Sequence, residues 1–483
     1  MEGEKADKGI KFKKSENFSE WYTDVIIRSE FVDYSSVSGM MVLRPDSYFL
    51  WEQIMNVTDR LLKENGVTNT AFPILIPERL LQKEAKHIEH FKAEVAWVTH
   101  GGDSELEERL AIRPTSETIM YESVAKWVRS WRDLPMKLNQ WNSVVRWEFK
   151  HPTPFLRTRE FHWNEGHSIY ATEEETIRER DVILGIYEHV LKDYLALPCI
   201  VGRKTEQEKF AGGVASYSIE QLMPDGWAIQ GPDWHFDGQN FAKVFNIEFL
   251  DKDGKKALAW QSTYAISTRV LGALIATHGD DRGLVIPPMM SRIQVVVVPI
   301  YKTDNRDKVI KAAMVVASEI GKKSRVHLDD RDDVSPGWKF NEWELKGVPL
   351  RIEIGERDIN EGKVVAARRD TLEKTDIKID AVGKESQKLL KNIQKSMYKR
   401  AVNLMKSMRS TAYSYASMKS ALEVKKGFVL APWCGSDECE NKIKEETGAK
   451  ITNMPLDQQN KLKGNCIYCG KQAKHMANFA KSY

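Results

Sequence analysis

Arginines in the first third of the chain have a spacing that suits nucleotide chemistry. Arg146 and Glu148 precede Arg157 and Arg159, in a stretch where two strands joined by a hairpin are expected. Guanidinium groups bind phosphate oxygens through paired hydrogen bonds, and a carboxylate such as Glu148 can hold a magnesium ion. The pattern therefore favours triphosphate binding. An Arg-x-Glu sequence alone is more often a surface ion pair, so the neighbouring residues must decide.

Four of the five cysteines lie in two close pairs, Cys434-x4-Cys439 and Cys466-x2-Cys469. Each pair puts two thiolates on one turn, and two such turns complete a tetrahedral zinc site. Disulfide bonds and coincidence are the alternatives, and a cytosolic location disfavours disulfides. All four ligands would come from the protein, so the metal would be structural rather than catalytic. Cys199 is interpreted as an inert buried thiol.

The composition is that of an ordinary globular protein. The chain has 483 residues, of which 42% are hydrophobic and 29% charged, so two to four domains are expected. A net charge of +3 does not by itself indicate a nucleic-acid partner. Residues 1–14 lack the apolar segment of a secretory signal, and the apolar run at 295–300 is too short to cross a bilayer. We expect a cytoplasmic protein with no membrane partner.

The first half of the chain shows the elements needed to position the arginines. Apolar residues at helical spacing predict helices at 18–28 and 51–63, with a strand at 71–76. Thr172 and Glu175 predict a capping box that begins a long helix. Residues 137–149 and 155–167 are strand-like. Many strands around few helices indicate an α+β domain with an antiparallel sheet.

The pattern changes at residue 292. Strands at 292–298, 325–328 and 350–354 alternate with helices at 307–320 and 338–345, which predicts a small α/β domain with a parallel sheet. An amphipathic helix is predicted at 386–408. Between residues 384 and 426, eleven Lys or Arg stand against two Glu. That segment is either a solvated helix face or a phosphate-binding patch.

Three segments together resemble the signature motifs of class II aminoacyl-tRNA synthetases. Residues 146–167 resemble the second motif, residues 262–269 the third, and residues 51–77 the first, which forms a dimer interface. Within that class the match is closest to prolyl-tRNA synthetases of the archaeal and eukaryotic cytoplasmic type. The segments that carry it are 113–117, 161–167, 238–241 and 278–288. The resemblance covers nearly the whole chain.

The resemblance implies a homodimer that uses ATP and Mg²⁺ to attach L-proline to tRNA(Pro). We expect an α+β catalytic domain with an antiparallel sheet at 1–288, an α/β anticodon-binding domain at 289–405, and a small zinc-containing α+β domain at 406–483. Two alternatives remain. One is a synthetase for threonine, serine or glycine, and the other is a non-catalytic paralogue. Retention of Arg146, Glu148 and Arg269 argues against the paralogue.

The resemblance also implies roles for individual residues. Catalysis would rest on Arg146, Arg269 and Glu148. Proline would contact Thr115, Glu117, Arg146 and His235, in a pocket shaped by Phe91, Glu94, Trp163, Glu165, His167 and Phe210. ATP would contact Arg146, Glu148, Arg157, Thr158, Gln230, Ser267 and Arg269, with Glu148 and Gln230 holding Mg²⁺. Trp163 and Phe210 could instead be core aromatics.

Two positions depart from the family pattern, and the chain end carries a further expectation. Asp233 and Trp234 precede His235 where a threonine and a serine are usual, and Ala265 replaces a glycine. In the family, the carboxylate of the terminal tyrosine points toward the catalytic domain. We therefore expect Tyr483 to dock near the active site, with anchors at helical spacing at 475, 476 and 479. A frayed end is the alternative.

Overall fold

The computed structural model describes residues 9–85, 94–148, 151–424 and 426–483. Phe91, which the resemblance placed in the substrate pocket, lies outside these ranges. Over the ranges described, no helix is long and apolar enough to span a membrane.

The helices largely follow the predicted apolar spacing. They are α1 (Phe18–Arg28), α2 (Pro45–Glu64), α3 (Glu78–Ala85), α4 (Glu117–Trp127), α5 (Glu173–His189), α6 (Asn240–Phe245), α7 (Arg269–His278), α8 (Arg306–Gly321), α9 (Pro336–Leu345), α10 (Glu356–Asn360), α11 (Val382–Ser407), α12 (Tyr415–Val424) and α13 (Asp437–Thr447). Thr172 caps α5 by accepting the Glu175 N–H, as predicted. Helix α2 begins earlier than predicted because Pro45 fits the first turn, where an N–H is not needed.

The strands are short and mostly antiparallel. They are β1 (Val32–Tyr34), β2 (Met41–Leu43), β3 (Thr68–Asn69), β4 (Leu75–Pro77), β5 (Trp97–Gly101), β6 (Ser104–Ile112), β7 (Met136–Val145), β8 (Glu160–Tyr170), β9 (Ile200–Arg203), β10 (Ala215–Leu222), β11 (Ala228–Gly238), β12 (Glu248–Leu250), β13 (Lys256–Leu258), β14 (Trp260–Ala265), β15 (Val295–Ile300), β16 (Val326–Leu328), β17 (Leu350–Gly355), β18 (Lys363–Arg368), β19 (Lys374–Lys378), β20 (Arg409–Thr411), β21 (Phe428–Trp433), β22 (Lys450–Pro455) and β23 (His475–Ala480).

An antiparallel sheet forms the centre of the first half, as predicted. Its strands run in the order β9-β10-β11-β14-β8-β7. Trp234 and Phe236 on β11 point to one face, where they join the core formed with α5 and α7. Because side chains alternate along a strand, Asp233 and His235 point to the opposite face. That face carries the site described below.

The strand predicted at 71–76 is shorter than expected, and it does not belong to the central sheet. Only Leu75–Pro77 is extended, and it pairs with β6 in a separate three-stranded sheet. Pro73 has no N–H for a ladder, and the Phe72 N–H donates instead to Gln140 Oε1 at 3.0 Å.

The second sheet has the order β16-β15-β17-β18-β19. Strands β15, β16 and β17 are parallel, but β18 and β19 are antiparallel to their neighbours, so the prediction of a parallel sheet was wrong for this edge. The connection from β17 to β18 holds only the short helix α10, whereas a parallel crossover needs about a dozen residues or more. Helices α8 and α11 cover the core of this sheet.

The elements from β20 to β23, with α12 and α13, form what we call the C-terminal module. Its strands do not make a separate sheet. Strand β22 pairs with β9 through Met454 opposite Arg203 and Pro455 opposite Gly202, which gives one sheet of eleven strands within the described ranges. The helical spacing predicted around His475 was wrong, because β23 pairs with β21 on one side and β22 on the other.

Candidate active site

A cavity of about 210 Å³ opens on the polar face of the antiparallel sheet, and we call it the sheet cavity. Eight of the ten residues predicted to contact or surround the substrate line it, namely Thr115, Glu117, Arg146, Trp163, Glu165, His167, Phe210 and His235. Of the other two, Glu94 does not line the cavity and Phe91 lies outside the described ranges. Gln230 and Asp233 also line it. The volume is below the roughly 300 to 1,000 Å³ of pockets for drug-sized ligands, so the cavity suits a small molecule.

Strand alternation explains why distant residues meet here. Trp163, Glu165 and His167 occupy every second position of β8, so all three point to the cavity. Asp233 and His235 do the same on β11. Each of these side chains is held by a strand that is paired on both sides, which limits its movement.

Glu165 organises one wall of the cavity. Its carboxylate accepts hydrogen bonds from the Ser116 N–H at 2.8 Å, from Gln140 Nε2 at 2.9 Å and from Asn142 Nδ2 at 2.7 Å. The side-chain oxygen of Asn142, Oδ1, accepts a hydrogen bond from the Trp163 indole N–H at 2.7 Å. A buried carboxylate with several donors is well satisfied, so Glu165 fixes the orientation of its neighbours.

Part of the cavity lining is acidic. The Thr115 hydroxyl lies between two buried carboxylates, contacting Glu117 and, at 3.0 Å, Glu165. Asp237 lies nearby, and neither of its carboxyl oxygens has a hydrogen-bond partner within the described ranges. Burial and the charge of Glu117 raise the pKa of Asp237 well above its usual range, although the Thr263 hydroxyl acts to lower it. Burial therefore favours the neutral form of Asp237.

Arginines lie at the cavity and beside it. Arg146 Nε donates to the Pro114 carbonyl at 3.0 Å, and the guanidinium lies 5.1 Å from the centre of the Trp163 ring. Arg269 Nη1 donates to the Gln230 carbonyl at 3.4 Å. Burial and the nearby charge of Arg146 lower the pKa of Arg269, while Asp233 acts to raise it. Arg146 lines the cavity and Arg269 lies beside it at Gln230, and guanidinium groups held this way can bind an anion.

Phe210 and His235 stack on each other, with ring centres 4.8 Å apart. Phe210 N–H donates to Ser216 Oγ at 2.8 Å, and that oxygen is 2.8 Å from His235 Nδ1. Asp233, the unexpected residue of the sequence, lies 3.5 Å from His235 Nε2 and accepts from Gln230 Nε2 at 2.9 Å. Burial acts to raise the pKa of Asp233, but the opposing effects of His235, Gln230 and Arg146 are larger. The pKa of Asp233 is therefore lowered overall. Asp233 is therefore ionised.

The predicted nucleotide residues are less completely assembled. Glu148, Arg157, Thr158, Ser267 and Arg269 are not among the residues that line the sheet cavity. Thr158 lines a separate cavity of about 80 Å³. Ser267 Oγ accepts the Arg269 N–H at 3.4 Å, and the charge of Glu148 acts on Arg269. Arg157 is exposed.

Sequence reasoning missed two residues that donate hydrogen bonds to Glu165 and two that line the cavity. Gln140 and Asn142 had a signal, because two polar residues at alternate positions of a strand indicate a polar face. Glu208 and Lys209 had none. They lie on residues 204–214 between β9 and β10, which we call the pocket loop, and this loop has no regular periodicity.

The four C-terminal cysteines come together as predicted. Their sulfur atoms all lie within 4.8 Å of one another, and the Cys434 Sγ atom is 3.6 Å from Cys439 Sγ and 3.8 Å from Cys469 Sγ. Zinc–sulfur bonds of about 2.3 Å in a tetrahedron separate the sulfurs by about 3.8 Å, so the set fits zinc. The Lys471 backbone N–H lowers the pKa of Cys469 to about 7, which favours a metal-binding thiolate.

The end of the chain docks on β11. Tyr483 N–H donates to the Ala228 carbonyl at 3.0 Å, and the Tyr483 hydroxyl donates to Asp225 at 2.6 Å. Its ring packs on Trp227. Ala228 lies two residues before Gln230 of the cavity. These contacts are made by the side chain and the backbone N–H of Tyr483, whereas we expected its carboxylate to make them.

Three family models match consecutive parts of the chain. The "tRNA synthetase class II core domain (G, H, P, S and T)" matches residues 91–278, the "Anticodon binding domain" residues 294–389, and "Prolyl-tRNA synthetase, C-terminal" residues 415–483. Together with the antiparallel sheet and its cavity, these matches define a class II aminoacyl-tRNA synthetase. The proline–tRNA ligase of Alkaliphilus oremlandii is 47% identical over 97% of this chain and 96% of its own. The chain belongs to the prolyl-tRNA synthetase family.

Other relatives agree. The proline–tRNA ligase of Natranaerobius thermophilus is 47% identical over 95% of this chain and 94% of its own. The crystal structure of the prolyl-tRNA synthetase of Cryptosporidium parvum, complexed with halofuginone and AMPPNP, matches with a TM-score of 0.94 and 43% identity, covering 99% of this chain and 100% of that one. The two curated relatives are bacterial, so they do not confirm the archaeal and eukaryotic type.

Proposed function

We propose that the protein activates L-proline in the sheet cavity and transfers it to tRNA(Pro). One observation carries the proposal: the small cavity is lined both by the carboxylates of Glu117 and Glu165 and by the guanidinium group of Arg146. An amino acid carries the opposite pair of charges. The proline amine faces Thr115 and Glu117, its carboxylate faces Arg146, and the ring lies against Phe210 and His235.

Activation needs no side-chain nucleophile. A proline carboxylate oxygen attacks the α-phosphorus of ATP, and the bond from that phosphorus to the pyrophosphate oxygen breaks. Arg146 holds both the carboxylate and the α-phosphate, and Arg269 neutralises charge on the leaving phosphates, so positioning and electrostatics supply most of the rate. A hydroxyl of the terminal ribose of the tRNA then attacks the prolyl carbonyl and releases AMP.

The remaining nucleotide residues act around the same arginines. Arg157, Thr158 and Ser267 contact ATP, and Glu148 and Gln230 hold Mg²⁺. The amide nitrogen of Gln230 donates to Asp233, which leaves the amide oxygen as the acceptor for a cation. Bound Mg²⁺ would neutralise the phosphate charge. Cys434, Cys439, Cys466 and Cys469 hold a structural zinc ion that closes the end of the C-terminal module.

The tRNA contacts the domain matched as anticodon-binding. A groove of about 640 Å³ lies between α8 and α11, and it contains none of the candidate catalytic residues. It is lined by Lys322, Lys323, Lys384, Lys388, Lys391 and Lys395, with Glu319 as the acidic residue. We call it the lysine groove. Its charge supports phosphate contacts over the alternative of a solvated face.

The proposal extends to the organisation of the molecule. The domains are 1–288, 289–405 and 406–483, and the architecture is that of the archaeal and eukaryotic cytoplasmic type. The protein is a cytoplasmic homodimer whose interface includes the segment around α2. Exposed apolar side chains support this interface, since Tyr34, Val42 and Tyr48 are 58%, 48% and 41% exposed. Light scattering of the purified protein tests the dimer.

Amino-acid-dependent exchange between ATP and pyrophosphate tests the function. Proline should support exchange, and threonine, serine and glycine should not. Faster exchange with any of those three than with proline would overturn the substrate assignment. No exchange with any amino acid would instead indicate a non-catalytic paralogue.

A further inference from the structure

The pocket loop forms part of the sheet cavity but has no helix or strand of its own. Glu208, Lys209 and Phe210 all line the cavity. A loop without regular structure keeps its shape only through contacts that its side chains and backbone make elsewhere. The source of those contacts therefore decides how well the cavity is formed.

The second half of the loop is held by its own domain. Phe210 N–H donates to Ser216 Oγ at 2.8 Å, and Gly213 N–H donates to the Phe210 carbonyl at 3.0 Å. These bonds fix Phe210 against His235. They leave the side chains before Phe210, including Glu208, to other partners.

The first half of the loop is held by the C-terminal module. Lys450 Nζ lies 2.7 Å from Glu208 Oε2, and the two side chains are only 28% and 20% exposed. Thr205 Oγ1 donates to Glu440 Oε1 at 2.9 Å, with both residues buried. Contacts from Lys204 Nζ to the Thr452 carbonyl at 2.8 Å and from Gln207 Nε2 to the Asp437 carbonyl at 3.3 Å complete the set.

We propose that Lys450 is a positioning residue for the amino-acid site, which it controls by holding Glu208 at the cavity wall. This inference rests on the proposed function. Lys450 does not line the cavity, so it acts through Glu208 and the loop. Glu440 supports the same loop from α13, one residue after the metal-site cysteine Cys439.

The consequence for kinetics follows from the position of the contact. Loss of Lys450 leaves the partly buried Glu208 carboxylate unpaired, so the loop shifts to hydrate it. Arg146 and Arg269 are untouched, and the chemical step keeps its groups. Proline binding should therefore weaken while turnover of bound proline changes little.

A double-mutant cycle on the full-length protein tests the proposal, using proline-dependent pyrophosphate exchange. K450M should raise the KM for proline about three- to tenfold and change kcat less than about twofold. In an E208Q background, K450M should have no further effect, because the charge it pairs with is gone. K450R should restore most of the affinity, since it keeps the charge.

K442M is the matched control, because Lys442 makes an exposed ion pair with Glu445 in the same module. Its KM should equal that of the wild type. Hydrogen exchange should show faster exchange of amides 205–209 in K450M and unchanged amides in β21. Equal effects of K450M with and without E208Q, or an unchanged KM in K450M, would overturn the proposal. A wild-type protein without proline-dependent exchange would refute the proposed function instead.

Discussion

Arg146 is the residue on which the proposed chemistry depends most. We expect R146A to lower proline-dependent exchange at least about a hundredfold, because a charged contact made in the transition state is lost. The thermal midpoint should hardly change, since the Arg146 side chain makes one hydrogen bond within the described ranges, to the Pro114 carbonyl, and the backbone bond to Arg159 is kept. R178A, which removes an exposed arginine on α5, should leave exchange normal. Near-normal exchange in R146A would show that the assignment is wrong.

The sequence allowed the grouping of three cavity residues to be predicted. Trp163, Glu165 and His167 follow strict alternation on one strand, so one correct strand assignment brings all three together. Glu208 could not be predicted. Its position depends on Lys450, which is 242 residues away in the sequence, and no local pattern reports such a contact.

Helix α7 ends at a histidine that should make stability depend on pH. His278 Nε2 lies 3.1 Å from the Leu195 carbonyl. Burial, helped by the charges of Lys14 and Arg400, lowers the pKa of His278 to about 3 from its usual value of about 6.5. Between about pH 3 and about pH 6.5, His278 is therefore protonated in the unfolded chain but neutral in the folded chain. Stability should fall as pH decreases below about 6.5, by up to about 1.4 kcal/mol per pH unit.

Calorimetry of H278Q between pH 7.5 and 5.5 checks this. Glutamine can still donate to the Leu195 carbonyl but does not titrate. The drop in melting temperature on acidification should be smaller in H278Q than in the wild type. An identical drop in both proteins would contradict a buried neutral His278.

The cysteine cluster should bind one zinc ion per chain. Elemental analysis of C439S should find almost none, and the melting temperature should fall, because the turn at Cys466 precedes β23 by only a few residues. C199S is the matched control. Burial raises the pKa of Cys199, which lies apart from the cluster, so zinc content and stability should stay close to wild type. Full zinc content in C439S would exclude this site.

At the level of elements, sequence patterns predicted a helix or strand correctly where its packing follows the local periodicity of apolar residues. Helix α5 was predicted from its cap, and β15 from its run of valines. The sequence around β23 predicts a helix instead of a strand, because His475, Met476 and Phe479 also fit helical spacing. Pairing with β21 and β22 decides the outcome, and those partners are remote from it in sequence.

The lysine groove makes a prediction for the whole molecule in complex with tRNA. Replacing Lys384, Lys391 and Lys395 together with glutamine should weaken tRNA binding and lower the slope of log affinity against log salt by about 2. Exchange without tRNA should be unaffected. The same change at the exposed Lys461, Lys463 and Lys471 should have little effect. An unchanged slope of log affinity against log salt in this variant would show that the lysine groove is a solvated face that does not bind tRNA.

Deleting Tyr483 tests whether the chain end supports the catalytic sheet. The deletion removes the bonds to Ala228 and Asp225, so exchange should slow without loss of zinc or of melting temperature. Y483F, which loses only the hydroxyl contact, should have a smaller effect. A wild-type rate after the deletion would mean that the end is dispensable.

The shared eleven-stranded sheet has a consequence for synthesis of the protein. Strand β22 joins β9, although Lys204 and Thr452, which bond across this junction, are 248 residues apart in sequence. A nascent chain that has left the ribosome only as far as α13 therefore presents β9 as an unprotected edge. Such edges pair readily with other chains, and distant pairings form slowly. Fragments that stop before β22 should aggregate during expression, whereas the full chain covers this edge itself.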